Sequence, residues 1–195
     1  MGATRALLAV LALVAMGCAP GASAQVPTSV PNVVAVSPAA TVEAFAPSGP
    51  TQIGRVVAIT DGDTIRVVID GVEHRLRYIG IDTPESVAPD TPIEPFALAA
   101  HAANAALVAH KDVVLEKDVS ETDRFDRLLR YVWLPPVEPT EEGRPGSGWR
   151  LVNLELVRAG LAEAVDYPPD TKYSALLSAA EEEARAAGYG LWTDG

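Results

Sequence analysis

Between Thr51 and Trp192 the apolar positions of this chain switch repeatedly between a two-residue and a helical period, and the switches outline its elements. Gln52–Ile59 and Thr64–Ile69 are β-branched runs split by Asp61-Gly62-Asp63, which predicts two strands joined by a turn. Asp70-Gly71 is a strong two-residue hairpin signal. From Val72 to Ile81 the pattern alternates, with Val72, His74, Leu76 and Tyr78 on one face and Glu73, Arg75, Arg77 and Ile79 on the other. A Pro-rich loop from Glu85 to Pro95 leads into an Ala/Leu-rich helix over Phe96–His110, with Pro95 suitably placed at its start. Val113–Leu115 and Leu128–Leu134 predict two more strands, and the Pro- and Gly-rich stretch from Pro135 to Gly148 reads as a long exposed hairpin loop. Leu151–Ala159 forms a helix closed by Gly160, and Tyr173–Ala187 forms another capped by Gly188. Five strands, one helix after the third and two at the end make an α+β domain: a five-stranded β-barrel of OB-fold type with about three flanking α-helices. No internal repeat is present.

The first fifty residues have a different texture. Arg5 begins a short basic region, Ala6–Met16 is apolar, and small residues follow, which predicts an export signal. At 11 residues the apolar run is too short to span a bilayer as a mature helix. Two processing sites compete. Ala22-Ser23-Ala24 before Gln25 suits a signal peptidase, giving a signal peptide over residues 1–24. Val14-Ala15-Met16-Gly17-Cys18 is similar to a lipobox, which would leave Cys18 lipidated and the protein tethered to a membrane. Cys18 is the one cysteine, so no intramolecular disulfide forms. Residues 25–50, rich in Val, Pro, Ala, Ser and Thr, are expected to form a disordered spacer, leaving 51–195 as the folded domain. The expected location is outside the cytoplasm, secreted, periplasmic or lipid-anchored.

Charge complicates any functional reading. The net charge is −11, and because Arg5 and Glu43 cancel, positions 51–195 carry all of it. Proteins that bind nucleic acid are usually basic, since phosphate neutralisation supplies most of their affinity. An acidic protein can still engage phosphates if cations sit on its carboxylates and a few arginines are focused at one cleft.

The candidate chemistry has that composition. Asp63, Arg77, Asp82 and Glu85 fall within 23 positions, each acid at the end of an apolar run, where a carboxylate is costly unless paired or metal-bound. Two Asp and a Glu with an Arg on the intervening strand suit a hard divalent cation beside a phosphodiester. Each piece also has a plainer explanation. Asp61–Thr64 can be an ordinary turn, and Asp82-Thr83-Pro84-Glu85 an Asx turn with a solvated Glu. Arg77 can pair with Glu73 or Glu85, and Arg127 with Asp123 or Asp126. The recurrence of two acidic motifs one hairpin apart favours a site. His74, His101 and His110 are expected to serve core or surface roles, and no Cys/His zinc pattern exists.

Taken in order, Gly62-Asp63-Thr64, Arg77-Tyr78-Ile79-Gly80-Ile81-Asp82-Thr83-Pro84-Glu85, Asp123-Arg124-Phe125-Asp126-Arg127-Leu128-Leu129, Val152-Asn153-Leu154-Glu155-Leu156-Val157-Arg158-Ala159-Gly160-Leu161-Ala162 and Gly190-Leu191-Trp192 resemble the thermonuclease (staphylococcal nuclease) family. The resemblance runs from about Gln52 to Trp192. It implies an endonuclease that hydrolyses DNA and RNA, prefers single strands, cleaves the P–O5′ bond and leaves 3′-phosphates. It further implies a Ca²⁺ cofactor held by Asp63 and Asp82 with the Thr83 carbonyl, water activation by Glu85, and a phosphate clamp of Arg77 and Arg127. A monomer without an obligate protein partner is expected. The chain departs from the family where Lys-Tyr-Gly commonly precedes the second arginine: here stand Arg124-Phe125-Asp126. The loop Ser86–Glu94 carries Asp90 and Glu94 and no base. These changes bear on affinity and cleavage preference, and Tyr167 is a candidate for the base-binding side. The rival reading is a non-catalytic binding module, since the fold alone decides nothing.

Overall fold

The computed structural model describes residues 45–85, 94–139 and 148–193. The export segment, most of the expected spacer, the loop 86–93 and the middle of the Pro135–Gly148 connection lie outside the described residues. The chain forms β1 (Thr51–Ile59), β2 (Thr64–Ile69), β3 (Val72–Tyr78) and a two-residue β4 (Ile81–Asp82), followed by α1 (Ala97–Val108). Next come β5 (Asp112–Glu116), β6 (Leu128–Leu134), β7 (Arg150–Leu151), α2 (Val152–Arg158), β8 (Glu163–Ala164) and α3 (Ser174–Ala187), with a single 3₁₀ turn at Gly190–Trp192.

β1, β2 and β3 form an antiparallel meander, β1 also pairs antiparallel with β5, and β5 with β6. The ring closes where β6 runs parallel to β3, with Leu76 opposite Leu128 and Arg77 opposite Leu129. This is the expected five-stranded barrel with three helices, and closure leaves the barrel strands without a free edge. Ile65, Val67, Leu76, Leu115 and Val132 fill its interior at 0 % exposure, while Tyr131 and Trp133, on the alternate face of β6, pack outside it against Tyr173. Each such side chain contributes about 1.5–3 kcal/mol relative to an exposed one. No helix among the described residues is long and apolar enough to cross a membrane.

β3 ends at Tyr78, earlier than the alternation to Ile81 implies. Gly80 turns the chain with φ of +76°, and a β-carbon there would lie 2.8 Å from Leu177 Cδ1. Its carbonyl accepts the Val165 amide at 3.0 Å, while the Ile79 carbonyl accepts Asn153 Nδ2 at 2.9 Å. Ile81 and Asp82 therefore leave the barrel ladder and pair with Ala164 and Glu163. Val72, on the Leu76 and Tyr78 face by periodicity, is 57 % exposed because it sits at the hairpin tip. The helix closures at Gly160 and Gly188 stand, both with positive φ. At Gly160 a β-carbon would come within 2.2 Å of the Tyr189 carbonyl, and the Gly160 carbonyl accepts the Leu191 amide at 2.8 Å. That contact ties the end of α2 to the closing Gly190-Leu191-Trp192.

Residues 45–50, assigned to the spacer, belong to the folded unit. The Phe45 ring packs 4.8 Å from Trp133 and 6.2 Å from Tyr173. The amides of Ser48 and Gly49 donate to Glu116 Oε1 at 2.9 and 2.7 Å, and the Pro50 carbonyl accepts the Lys117 amide. Periodicity could not reveal this, because an irregular strap takes its bonds from a distant side chain. The Glu116 side chain is fully buried and also accepts from Trp133 Nε1 at 2.8 Å, the Tyr173 hydroxyl at 2.9 Å and Lys172 Nζ. Burial alone would raise this carboxyl, but Lys172, the two amides and the Tyr173 hydroxyl together hold it below the usual Glu range.

A depressed carboxyl contributes stability that is complete above its unfolded pKa and lost as pH falls through its folded one. Glu116→Gln should cost roughly 2–4 kcal/mol at neutral pH, since it strips charge from a buried, fully bonded acceptor. Thermal unfolding followed by circular dichroism should show a clear fall in Tm at pH 7. The gap to the unaltered protein should narrow once pH drops below 4.5, the ordinary value for Glu. Equal Tm values at pH 7 would contradict this account.

Candidate active site

The turn between β1 and β2 is built tightly. The amides of Thr60 and Asp61 both donate to the Thr64 carbonyl, at 2.9 and 3.0 Å. Gly62 has no room for a side chain: a β-carbon would lie 2.7 Å from Thr83 Oγ1 and 2.8 Å from Ala100 Cβ on α1. Asp61 and Asp63, on either side, are each only 5 % exposed. Asn104 of α1, completely buried, supports the turn from behind. Its Nδ2 donates to the Asp61 carbonyl at 3.1 Å, and its Oδ1 accepts the Tyr78 hydroxyl at 2.8 Å. Burial raises the Tyr78 phenol far above its ordinary pKa, so it remains a donor.

Asp63 is bonded through both of its oxygens. Its Oδ2 accepts the Thr83 amide at 2.9 Å and the Thr83 hydroxyl at 3.0 Å, and its Oδ1 accepts the Thr64 hydroxyl at 3.1 Å. Desolvation raises its carboxyl, against the lowering effect of Arg77 and Thr83, and Asp82 adds to the rise. Arg77, 9 % exposed, bridges the two acids: Nη1 lies 2.5 Å from Asp63 Oδ2, and Nη2 donates to Asp82 Oδ1 at 2.5 Å. The Nη1 contact is one of charge. That nitrogen is buried and has no aligned hydrogen-bond acceptor among the described residues. Neither plainer pairing of Arg77 occurs, since Glu73 pairs with Arg66 at 2.9 Å.

Glu85 is solvent-exposed beyond Pro84. Its carboxyl is nevertheless held above the ordinary Glu range. Partial desolvation is the largest cause, followed by the charge of Asp61 and a hydrogen bond with it, then by Asp63 and Asp82. Three acidic neighbours thus act on the Glu85 carboxyl. Across the β4–β8 pair Asp82 also sits opposite Glu163, a like-charge pairing that costs stability.

Arg127 is placed by a compact loop. Asp123 Oδ1 accepts the amides of Phe125 and Arg127, both at 2.9 Å, and its Oδ2 accepts Arg127 Nε at 2.6 Å. Burial alone would raise Asp123, but those amides and the guanidinium hold it below its ordinary range. This is the pairing with Asp123 weighed from the sequence. Asp126 adopts a left-handed conformation, φ 61°, where the family commonly has Gly. Phe125 is 54 % exposed, with the guanidinium carbons of Arg124 and Arg127 at 4.7 and 5.5 Å from its ring centre. The Phe125 carbonyl accepts Arg75 Nη2 at 2.6 Å. Arg77 and Arg127 line one open cleft of about 430 Å³, together with Arg124, Phe125 and Tyr167.

The structure therefore gathers Asp63, Arg77, Asp82, Thr83 and Glu85 at one end of the barrel and joins them through Arg77 to Arg127. Donor chemistry at this end fits a hard divalent cation. Carboxylate and carbonyl oxygens predominate, and Arg77 alone leaves a surplus of negative charge that pushes Glu85 upward. As the side chains stand, no three of the described His, Cys, Asp and Glu residues form a ready-made cage, because Arg77 occupies the space between Asp63 and Asp82. Sequence reasoning missed three neighbours. Asp61 reads as a turn residue, Asn104 as one polar position in an apolar helix, and Glu94 as loop charge. Only the doubled Asp around Gly62 offered a signal.

A family model described as staphylococcal nuclease homologue matches residues 75–194. A thermonuclease of Staphylococcus intermedius is 37 % identical over 137 residues, covering 70 % of this chain and 74 % of that protein. A thermonuclease of Staphylococcus hyicus is 36 % identical over 143 residues, covering 73 % of this chain and 77 % of its own length. Endonuclease YncB of Bacillus subtilis is 33 % identical over 135 residues, 68 % of this chain and 58 % of that protein. With the order of its motifs and its closed five-stranded barrel, the chain belongs to the staphylococcal nuclease homologue family.

Proposed function

We propose that this protein is a Ca²⁺-dependent nuclease that hydrolyses phosphodiester bonds of DNA and RNA, preferring single strands, and leaves 3′-phosphates by cleavage of the P–O5′ bond. One observation supports this above the rest: Arg77 touches both Asp63 and Asp82 and shares an open cleft with Arg127. The relatives named thermonuclease and endonuclease support the same reaction class.

Each residue has a distinct task in this reading. Asp63 and Asp82 would hold Ca²⁺, with the Thr83 carbonyl as a further oxygen; the bound ion would supply Lewis-acid polarisation of the phosphoryl group. Glu85, next to the Asp63 and Asp82 pair, accepts the proton of the attacking water. Arg77 and Arg127 present planar donor forks to the phosphate oxygens, where charge accumulates in the transition state. Single strands suit a cleft that is flanked by the half-exposed Phe125 ring and Tyr167. The amino-terminal segment adds the proposal of export, either by cleavage after Ala24 or with a lipid tether at Cys18.

Replacing Arg77, Arg127 or Glu85 by Ala should each reduce kcat by at least about 10² to 10³, the usual loss for a preorganised charge donor or base. Near-full activity in all three variants would sink the assignment. Release of acid-soluble nucleotides from denatured DNA should require Ca²⁺ and stop with chelator. An undiminished rate in chelator would remove the cation from the reaction. Because the net charge is −11 and few arginines carry the affinity, KM should be high and rise with salt, with a slope set by those few contacts. A KM indifferent to salt would show that the cleft binds its substrate by other means.

A further inference from the structure

Beyond the residues that face the phosphate, the structure contains a reciprocal clasp on the backbone of Glu85. The Glu85 amide donates to Glu94 Oε2 at 3.0 Å, and the Glu94 amide donates back to the Glu85 carbonyl at 3.2 Å. From this geometry we infer that Glu94 is a positioning residue for Glu85, fixing its backbone relative to helix α1; the inference rests on the role proposed for Glu85.

Three observations carry it. The first is that Glu94 is itself anchored: its carbonyl accepts the amide of Ala97, the first residue of α1, at 3.1 Å. α1 in turn is locked to the Asp61–Asp63 turn through Ala100 against Gly62 and through Asn104 bonded to the Asp61 carbonyl. A continuous path of main-chain and side-chain bonds thus links Glu85 to the same helix that supports Asp61 and Asp63. The second is a cost. Glu94 lines a cleft of about 450 Å³ with Asp82, Thr83 and Glu163, next to carboxyls that already repel one another. Another negative charge there is unfavourable unless its hydrogen bond to the Glu85 amide contributes. The third is the local chain. Glu85 follows Pro84, which has no amide hydrogen, so the Glu85 amide is the first main-chain donor past Thr83 able to fix this segment.

Glu94 lies at the foot of the acidic loop and was read from sequence only as charge that weakens substrate binding. The clasp assigns it a different task. Its oxygen acts as an acceptor, and the negative charge is incidental. Gln keeps an acceptor oxygen at the same reach and removes the charge, whereas Ala removes both, so the two substitutions separate these roles.

The test uses the full chain, steady-state cleavage of denatured DNA with Ca²⁺, and amide hydrogen exchange at Glu85. Glu94→Ala should lower kcat roughly 10- to 100-fold, the scale on which small misplacements of reacting groups act. KM should stay within about twofold, because the phosphate clamp is untouched. Exchange of the Glu85 amide should accelerate in the same variant, and Glu94→Gln should restore most of both the rate and the protection. An unchanged kcat in Glu94→Ala, or a change confined to KM, would overturn the inference. So would a Glu94→Gln variant as slow as Glu94→Ala, since the charge would then be the active feature. If the unaltered protein shows no Ca²⁺-dependent cleavage, the functional reading falls and the positioning role with it. A Glu85 amide equally protected in all three proteins would refute the clasp without reference to activity.

Discussion

The Asp63 carboxylate is buried, and a carboxylate cannot leave water without compensation. Its compensation is Arg77, delivered by the strand register: Arg77 stands opposite Thr64, the neighbour of Asp63, in the β2–β3 pair. A slip of one residue would turn Arg77 to the other face and leave Asp63 charged and alone. The same rung of β3 faces Leu129 in the parallel contact that closes the barrel. Closure therefore brings Arg127, two residues before Leu129, into the cleft with Arg77. One ion pair thus depends on the register of the meander and lies beside the seam of the barrel, and the geometry of the site follows from both.

Helix α1 serves the site as a brace, although none of its own side chains lines the cleft of Arg77 and Arg127. Ala100 is small where it meets Gly62, Asn104 satisfies the Asp61 carbonyl, and the residues before the helix bond to Glu85. These contacts matter because the charges of Asp61, Asp63 and Asp82 crowd the Glu85 carboxyl. Side chains that repel spread apart unless the backbone beneath them is fixed, and the brace opposes that spreading. Catalytic geometry of this sort tolerates little displacement, so a supporting shell has functional weight even without touching substrate.

An acidic nuclease is less paradoxical once charge is located rather than summed. The deficit of −11 belongs to the whole chain, while Arg77, Arg124 and Arg127 are concentrated on one cleft. Asp123 lowers the local positive charge, yet it is spent on two amides and Arg127 Nε, and so works chiefly as a loop former. Phe125 in place of the family's usual tyrosine loses a hydroxyl and presents a face for Arg124 and Arg127. The left-handed Asp126 shows that this loop keeps its turn without glycine, using one of the residue types that tolerate that conformation best.

What the sequence determined by itself was whatever is periodic or short in range. Alternation and β-branched runs marked the barrel strands, Gly160 and Gly188 marked helix ends, and Asp63, Arg77, Asp82 and Glu85 stood out because charged residues at the ends of apolar runs conflict with burial, whereas Thr83 and Arg127 were singled out only by the family resemblance. Only the tertiary structure decided which groups answer one another over long separations. Gly80 ends β3 early because Val165 and Leu177 meet it, and Asp82 is carried out of the barrel ladder to pair beside Glu163. Phe45 to Pro50 joins the fold because Glu116, far along the chain, accepts its amides. Asn104 and Glu94 become supports because α1 packs where it does. Periodicity records which face of an element is buried, but a hydrogen-bond partner is chosen by register and closure, and those exist only once the chain has folded.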